Sequence, residues 1–342
     1  MNYRLLGRTG LFVSPLCLGT MTWGGRGFWQ TIGDLQIDAV TDQLAAAREA
    51  GINFIDTANI YHEGLSESLL GEGLQSLGWA RHEVVIATKV RGRMGAGPNE
   101  LGLTRSHIMH QVDESLRRLR TDYIDLYQIH GRDPLTPIDE TLRALEDLVR
   151  VGKVRYLGVS NHTAWQMMKA LSISDRHGWS RFVSIQAYYS MAGRDLEREV
   201  VPFALEEGLG ILAWSPLAGG LLADKAQAPE GSRRAAFDFP PIDRPRAVAC
   251  IEAMRPIAAE RGCSVARIAL AWTLQQPGIT SAIIGARTRT QLDDNLAAAA
   301  LRLTPDELAR LDQVSALPLE YPGWMLGFQG RDRAEQAAAS KA

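Results

Sequence analysis

The chain has 342 residues, 46% of them hydrophobic, which is enough to bury a large core as one α/β barrel or as two ordinary domains. Its formal net charge is -2, and lysine, arginine, aspartate and glutamate interleave along the whole length, leaving no basic face for nucleic acid or an anionic membrane. The expected partner is a small molecule, not a nucleic acid and not a membrane.

Residues 1–7 lack a charged segment followed by an apolar one, and no stretch approaches the ~20 apolar residues of a membrane span, which predicts a cytoplasmic protein. Residues 3–5 and 12–14 flank Gly7-Arg8-Thr9-Gly10, a β-hairpin pattern within 1–15 that can plug one mouth of a barrel. Short apolar runs then follow at 16–18, 53–56, 84–89, 123–129, 154–159, 182–187, 210–214 and 281–284, alternating with amphipathic helical patterns. Several are hydrophobic without alternation, as strands covered on both faces are. After the first run, Gly24-Gly25-Arg26-Gly27 reads as a flexible loop on a substrate rim. Gly51 and Gly208 close the helices before the second and seventh runs.

Thr104 opens a helix with Ile108, Val112, Leu116 and Leu119 on one face. In Thr136-Pro137-Ile138-Asp139-Glu140 the threonine is placed to cap and the proline suits the first turn; Leu142, Leu145 and Val149 form the apolar stripe, and Gly152 ends it. Residues 218–246, rich in glycine, proline and charge, predict an active-site loop, with two helical patterns after it. The polar, alanine-rich 330–342 predicts a flexible tail, frayed or weakly helical. Eight βα units without a linker predict a single domain over 1–342, a closed (β/α)8 TIM barrel rather than a doubly wound sheet. Cys17, Cys250 and Cys263 are too few and too scattered for a disulfide framework or a zinc site, so inert buried thiols and no metal are expected.

In such a barrel, polar residues at the carboxyl ends of the strands converge on one rim. Asp56, Lys89 and His130 end the second, third and fourth runs, and Tyr61 follows the second. Singly, each has an ordinary reading as a cap, a solvated charge or a structural histidine. Together on neighbouring strands they suit carbonyl chemistry. A carbonyl accepting hydride develops oxyanion character and needs a proton from a group poised near neutrality. A free tyrosine, with pKa near ~10, holds its proton too tightly. A neighbouring ammonium stabilises the phenolate, and a carboxylate fixes the ammonium. Tyr61, Lys89 and Asp56 supply those parts, and His130 is placed to donate a hydrogen bond to the carbonyl oxygen.

The chain resembles the aldo-keto reductases, specifically the branch of aryl-alcohol dehydrogenases and channel β subunits. The residues that carry the resemblance are the segment from Phe54 through Asp56-Thr57-Ala58-Asn59-Ile60-Tyr61 to Leu74, the Ala87-Thr88-Lys89 end, Ser115 to Leu119 leading into Asp122 to His130, and Gly158-Val159-Ser160-Asn161. The resemblance implies a catalytic tetrad of Asp56, Tyr61, Lys89 and His130 with tyrosine as general acid, and a nicotinamide cofactor near Thr20, Met21 and Asp56. Ser160, Asn161 and Gln186 are short polar side chains suited to holding a carboxamide. Trp214 offers a flat face for the ring, with barrel packing as its plainer role. Ser215, Pro216, Leu217, Ala218 and Gly219 form a small-residue loop whose N–H groups can approach a pyrophosphate, with Lys225 in reach. No G-x-G-x-x-G opens a helix, which counts against a Rossmann site.

Cofactor choice is expected to turn on Gly285 to Asn295. A helix N-terminus beside arginine suits a phosphate dianion, and the matching family stretch binds the adenosine 2′-phosphate and adenine. NADPH/NADP+ is the expected cofactor, with Arg287 and Gln291 on the phosphate, Asp294 and Asn295 near adenine, and Gly285 also in the cofactor site. Arg289 is also close, so the choice of arginine stays open, and Ile284 departs from the proline that many relatives carry. Trp23, Phe28, Trp29, Ile60, Tyr61, His130 and residues 237–241 predict an apolar, aromatic-tolerant substrate wall, with loop packing the competing reading for Phe28 and Trp29. The expected activity is NADPH-dependent, reversible reduction of an aldehyde or ketone to an alcohol. Its rivals are an NADP(H)-binding regulatory or sensor subunit, against which His130 argues, and a barrel isomerase or lyase that uses no cofactor. The pattern leaves substrate, reaction direction and oligomeric state open.

Overall fold

The computed structural model describes residues 1–224 and 237–339. The chain opens with β1 (Arg4–Leu5) paired antiparallel to β2 (Phe12–Val13) across the expected turn. Eight further strands follow: β3 (Leu16–Gly19), β4 (Phe54–Asp56), β5 (Val85–Val90), β6 (Ile124–Ile129), β7 (Val154–Ser160), β8 (Phe182–Tyr188), β9 (Gly210–Trp214) and β10 (Ile279–Ile284). They run parallel in sequence order, and β10 pairs with β3 to close the barrel. All six residues of β5 and of β6 are buried, the polar Thr88, Lys89, Asp125 and Gln128 among them, as in strands covered on both faces.

Helices α1 (Ile37–Glu49), α2 (Leu65–Ser76), α3 (Arg105–Leu119), α4 (Ile138–Arg150), α5 (Ala164–His177) and α6 (Val200–Glu207) cover the outside as crossovers. After β9 come α7 (Arg244–Glu260) and α8 (Val265–Leu274), and after β10 come α9 (Arg289–Ala297), α10 (Pro305–Ser315) and α11 (Gly323–Ala339). The main core lies between strands and helices. A smaller one fills the barrel, where Cys17, Phe54, Val85, Ala87, Leu126 and Leu212 meet Leu6 and Val13 from the hairpin. The hairpin therefore plugs the mouth at the strands' amino ends. A Cβ on Gly7, which sits at φ 57°, would stand 2.4 Å from the Val183 carbonyl oxygen, so only glycine allows so close an approach.

Most barrel strands shift by one residue from expectation at one end or both, and three features stand out further. Strand β10 starts at Ile279, two residues before the expected Ser281, because Ile279 already pairs with Ile211 of β9 ahead of a register shift. Thr104 caps α3 by accepting from His107 N at 3.3 Å, but Thr136 does not cap α4. It donates instead to Asp133 Oδ2 at 2.7 Å, and Pro137 takes the cap position with no side-chain bond. The tail from residue 330, expected to be frayed or weakly helical, is helical and continues α11 to Ala339. No helix among the described residues is long and apolar enough to cross a membrane.

Candidate active site

Neighbouring strands bring the four polar residues to the rim opposite the hairpin. Asp56 ends β4, Lys89 lies in β5 and His130 follows β6. Lys89 is fully buried, and its ammonium has three N–H groups to place. They point to Asp56 Oδ1, to the Thr57 carbonyl at 2.9 Å and to the Tyr61 hydroxyl at 3.5 Å. Burial alone would lower the lysine's pKa. The Asp56 charge and hydrogen bond, with Tyr61, more than reverse this and hold it above its ordinary value.

Tyr61 is delivered by a tight turn, Tyr61–Gly64, in which His62 (φ 50°) and Glu63 (φ 57°) are both left-handed, a conformation costly for residues with a Cβ. The His62 ring offsets that cost. Its Nδ1 accepts from Gly25 N at 2.7 Å and its Nε2 donates to the Met21 carbonyl at 3.0 Å, the neutral tautomer that the first contact requires. Gly24-Gly25-Arg26-Gly27 is therefore clasped rather than merely flexible. A Cβ on Gly24 (φ 142°) would meet the imidazole at 2.4 Å.

The ring of His130 meets Tyr61 edge-on, centroids 5.9 Å apart. Burial, then the charges of Lys89 and Arg91, push its pKa down to about 3, so it stands as a neutral imidazole able to donate one N–H. Behind it, Asp56 Oδ2 accepts from Gln128 Nε2 at 3.0 Å and Gln186 Nε2 at 2.8 Å.

These groups border a cavity of about 700 Å³ that runs across the rim. Its inner part is lined by Thr20, Met21, Asp56, Tyr61, His130, Ser160, Asn161 and Gln186. Asn161 donates to the His130 carbonyl at 3.1 Å and accepts from Trp214 Nε1 at 3.1 Å. Trp214 lines the cavity with Phe239 stacked on it at 5.7 Å. Ser215, Pro216, Leu217 and Gly219 continue the wall, whereas Ala218 is fully buried and does not reach the cavity. The outer end holds Gly285, Arg287, Gln291, Asp294 and Asn295.

On the substrate side, Phe28, Trp29, Phe237 and Phe239 line the cavity, and Trp29 lies edge-on to Tyr61 at 5.3 Å. Two expected wall residues do not. Trp23 is fully buried with its indole N–H on Gln43 Oε1 at 2.9 Å, and Ile60 turns away, packing against Gly92. Lys225 lies outside the described residues. Sequence reasoning missed Ile32, Leu221, Ser264 and Ala266 in the lining. Ser264 reads only as a helix cap, and the apolar residues carry no chemical signal.

Residues 15–316 match the model of the aldo/keto reductase family. An uncharacterized oxidoreductase of Bacillus subtilis is 40% identical over 92% of this chain and 96% of its own. The versiconal hemiacetal acetate reductase of Aspergillus parasiticus is 34% identical over 94% of this chain and 99% of its own. A probable voltage-gated potassium channel subunit beta of Oryza sativa is 35% identical over 92% of this chain and 96% of its own.

Proposed function

The chain belongs to the aldo/keto reductase family, oxidoreductases that act on small-molecule carbonyls and generally use NAD(P)H, and from that premise we propose that it reduces an aldehyde or ketone to an alcohol, reversibly, with NADPH. The observation that carries this reading is the fully buried Lys89 ammonium, divided between a carboxylate and a phenol beside a neutral imidazole at the cavity wall.

The residues fit the cofactor. Gln186 presents its amide to the inner cavity and Arg287 stands at the outer end, while Ser215 to Gly219 bound the stretch between them. A nicotinamide bound there supplies the hydride. His130 donates its N–H to the carbonyl oxygen and orients it. Tyr61 gives its proton to that oxygen as charge develops, and Lys89, held by Asp56, stabilises the phenolate left behind. Phe28, Trp29, Phe237 and Phe239 suit a flat, uncharged substrate.

Tyr61→Phe should keep NADPH binding and lower kcat for carbonyl reduction by at least about a hundredfold, the scale of a positioned general acid. Near-normal turnover would overturn the role. The second reading, a cofactor-binding sensor with little turnover, draws on the likeness to the rice protein. Following NADPH absorbance over a panel of aldehydes and ketones, with NADH as control, separates the two.

A further inference from the structure

We propose that Gln128 is a positioning residue that sets which way the Gln186 amide faces, and through it how a nicotinamide is held. The proposal rests on the cofactor reading above. Gln128 lies on β6, in register between Lys89 of β5 and Gly158 of β7, and is fully buried. Its Nε2 donates to Asp56 Oδ2 at 3.0 Å, and its Oε1 accepts from Gln186 Nε2 at 3.3 Å. The same Gln186 nitrogen donates to Asp56 Oδ2 at 2.8 Å.

A primary amide has two N–H donors. Gln186 directs one to Asp56 and one to Gln128, which leaves its carbonyl oxygen for the cavity it lines. An acceptor there matches the N–H of a carboxamide. The flipped amide would set a carbonyl against the Asp56 carboxylate and the Gln128 carbonyl, acceptor against acceptor, in a dry interior. Gln128 thus couples the buried carboxylate of the tetrad to the orientation of the reductant.

Gln128 reaches β8 across β7 because Gly158 has no side chain. A Cβ there would stand 2.8 Å from Gln128 Cγ and 3.0 Å from Ser184 Oγ. Gly158→Ala therefore disturbs the same orientation from a different strand. Gln128→Leu removes both hydrogen bonds at similar volume. Gln128→Glu, when protonated, restores the pattern, its O–H facing Asp56 and its carbonyl accepting from Gln186.

The test measures the NADPH dissociation constant by calorimetry and the face from which deuterium leaves a C4-deuterated cofactor, with thermal melting of the cofactor-free protein as the folding control. Gln128→Leu and Gly158→Ala should each raise the dissociation constant about tenfold, the scale of one misdirected hydrogen bond, and leak transfer to the wrong face. Gln128→Glu should keep single-face transfer at acid pH and lose it as the pH rises. If Gln128→Leu does not fold, the other two variants decide. Variants that fold, bind NADPH like the unaltered chain and transfer from one face at every pH overturn the proposal and leave the reductase reading standing. Failure of the unaltered chain to bind any nicotinamide cofactor overturns both.

Discussion

Arg287 and Arg289 stand two positions apart, yet their surroundings divide them. Arg289 is paired with Asp42 and Asp293, both at 2.8 Å, and its charge is already answered. Among the described residues the Arg287 guanidinium donates to the carbonyls of Thr31 and Ile32, at 3.0 and 2.8 Å, and meets no carboxylate, and it lines the cavity. We therefore assign the 2′-phosphate of the proposed cofactor to Arg287. Arg287→Ala should weaken NADPH roughly ten- to hundredfold, as charge-assisted hydrogen bonds do, and NADH much less; equal losses in titrations with the two cofactors would refute it. At this scale the polar residues were legible in the sequence, because Asp56, Lys89 and His130 lie at the ends of apolar strands, where a polar side chain needs a reason. Gln128 was not, since an amide within a strand carries no such flag and its partner Gln186 is 58 positions away. Trp23 misled for the converse reason. An aromatic in a rim loop reads as a pocket wall until Gln43, from another element, takes its N–H.

The amino-terminal hairpin shows what an element contributes apart from chemistry. Leu6 and Val13 are fully buried inside the barrel at the mouth away from the tetrad. Leu6→Ala should destabilise the fold by about 2–5 kcal/mol, the cost of lost burial and the cavity left behind, seen as a lower urea midpoint. Cofactor affinity should be unchanged, because nothing in the plug reaches the opposite rim; a matching loss of NADPH binding would show that the plug does more than close the barrel. Element identities followed from periodicity, but their ends did not. Thr136 could cap α4 until Asp133 offered its hydroxyl a better acceptor, and β10 could not be extended back to Ile279 without knowing that Ile211 of β9 lies beside it.

Across the molecule, His62, His107, His130 and His162 all have lowered pKa values, in each case first through burial. In the unfolded chain they titrate near ~6.5. Below that pH the unfolded state takes up protons that the folded state refuses, so stability is whole above about 6.5 and falls as pH drops, for His130 down to about 3. Urea midpoints measured through this window should decline with acid, and His130→Gln should flatten the slope; an unchanged slope would remove His130 from the account. By itself the sequence determined the barrel, its plug and the charged residues of the rim, because hydrophobic periodicity and charges at strand ends are local patterns that any reader of the chain can see. Only the tertiary structure decided that Gln128 crosses Gly158 to reach Gln186, that His62 clasps the rim loop, and that Arg287 rather than Arg289 faces the cavity. Hydrogen bonds of that kind are chosen by which unsatisfied group comes nearest in space, and closing the barrel is what makes distant residues neighbours.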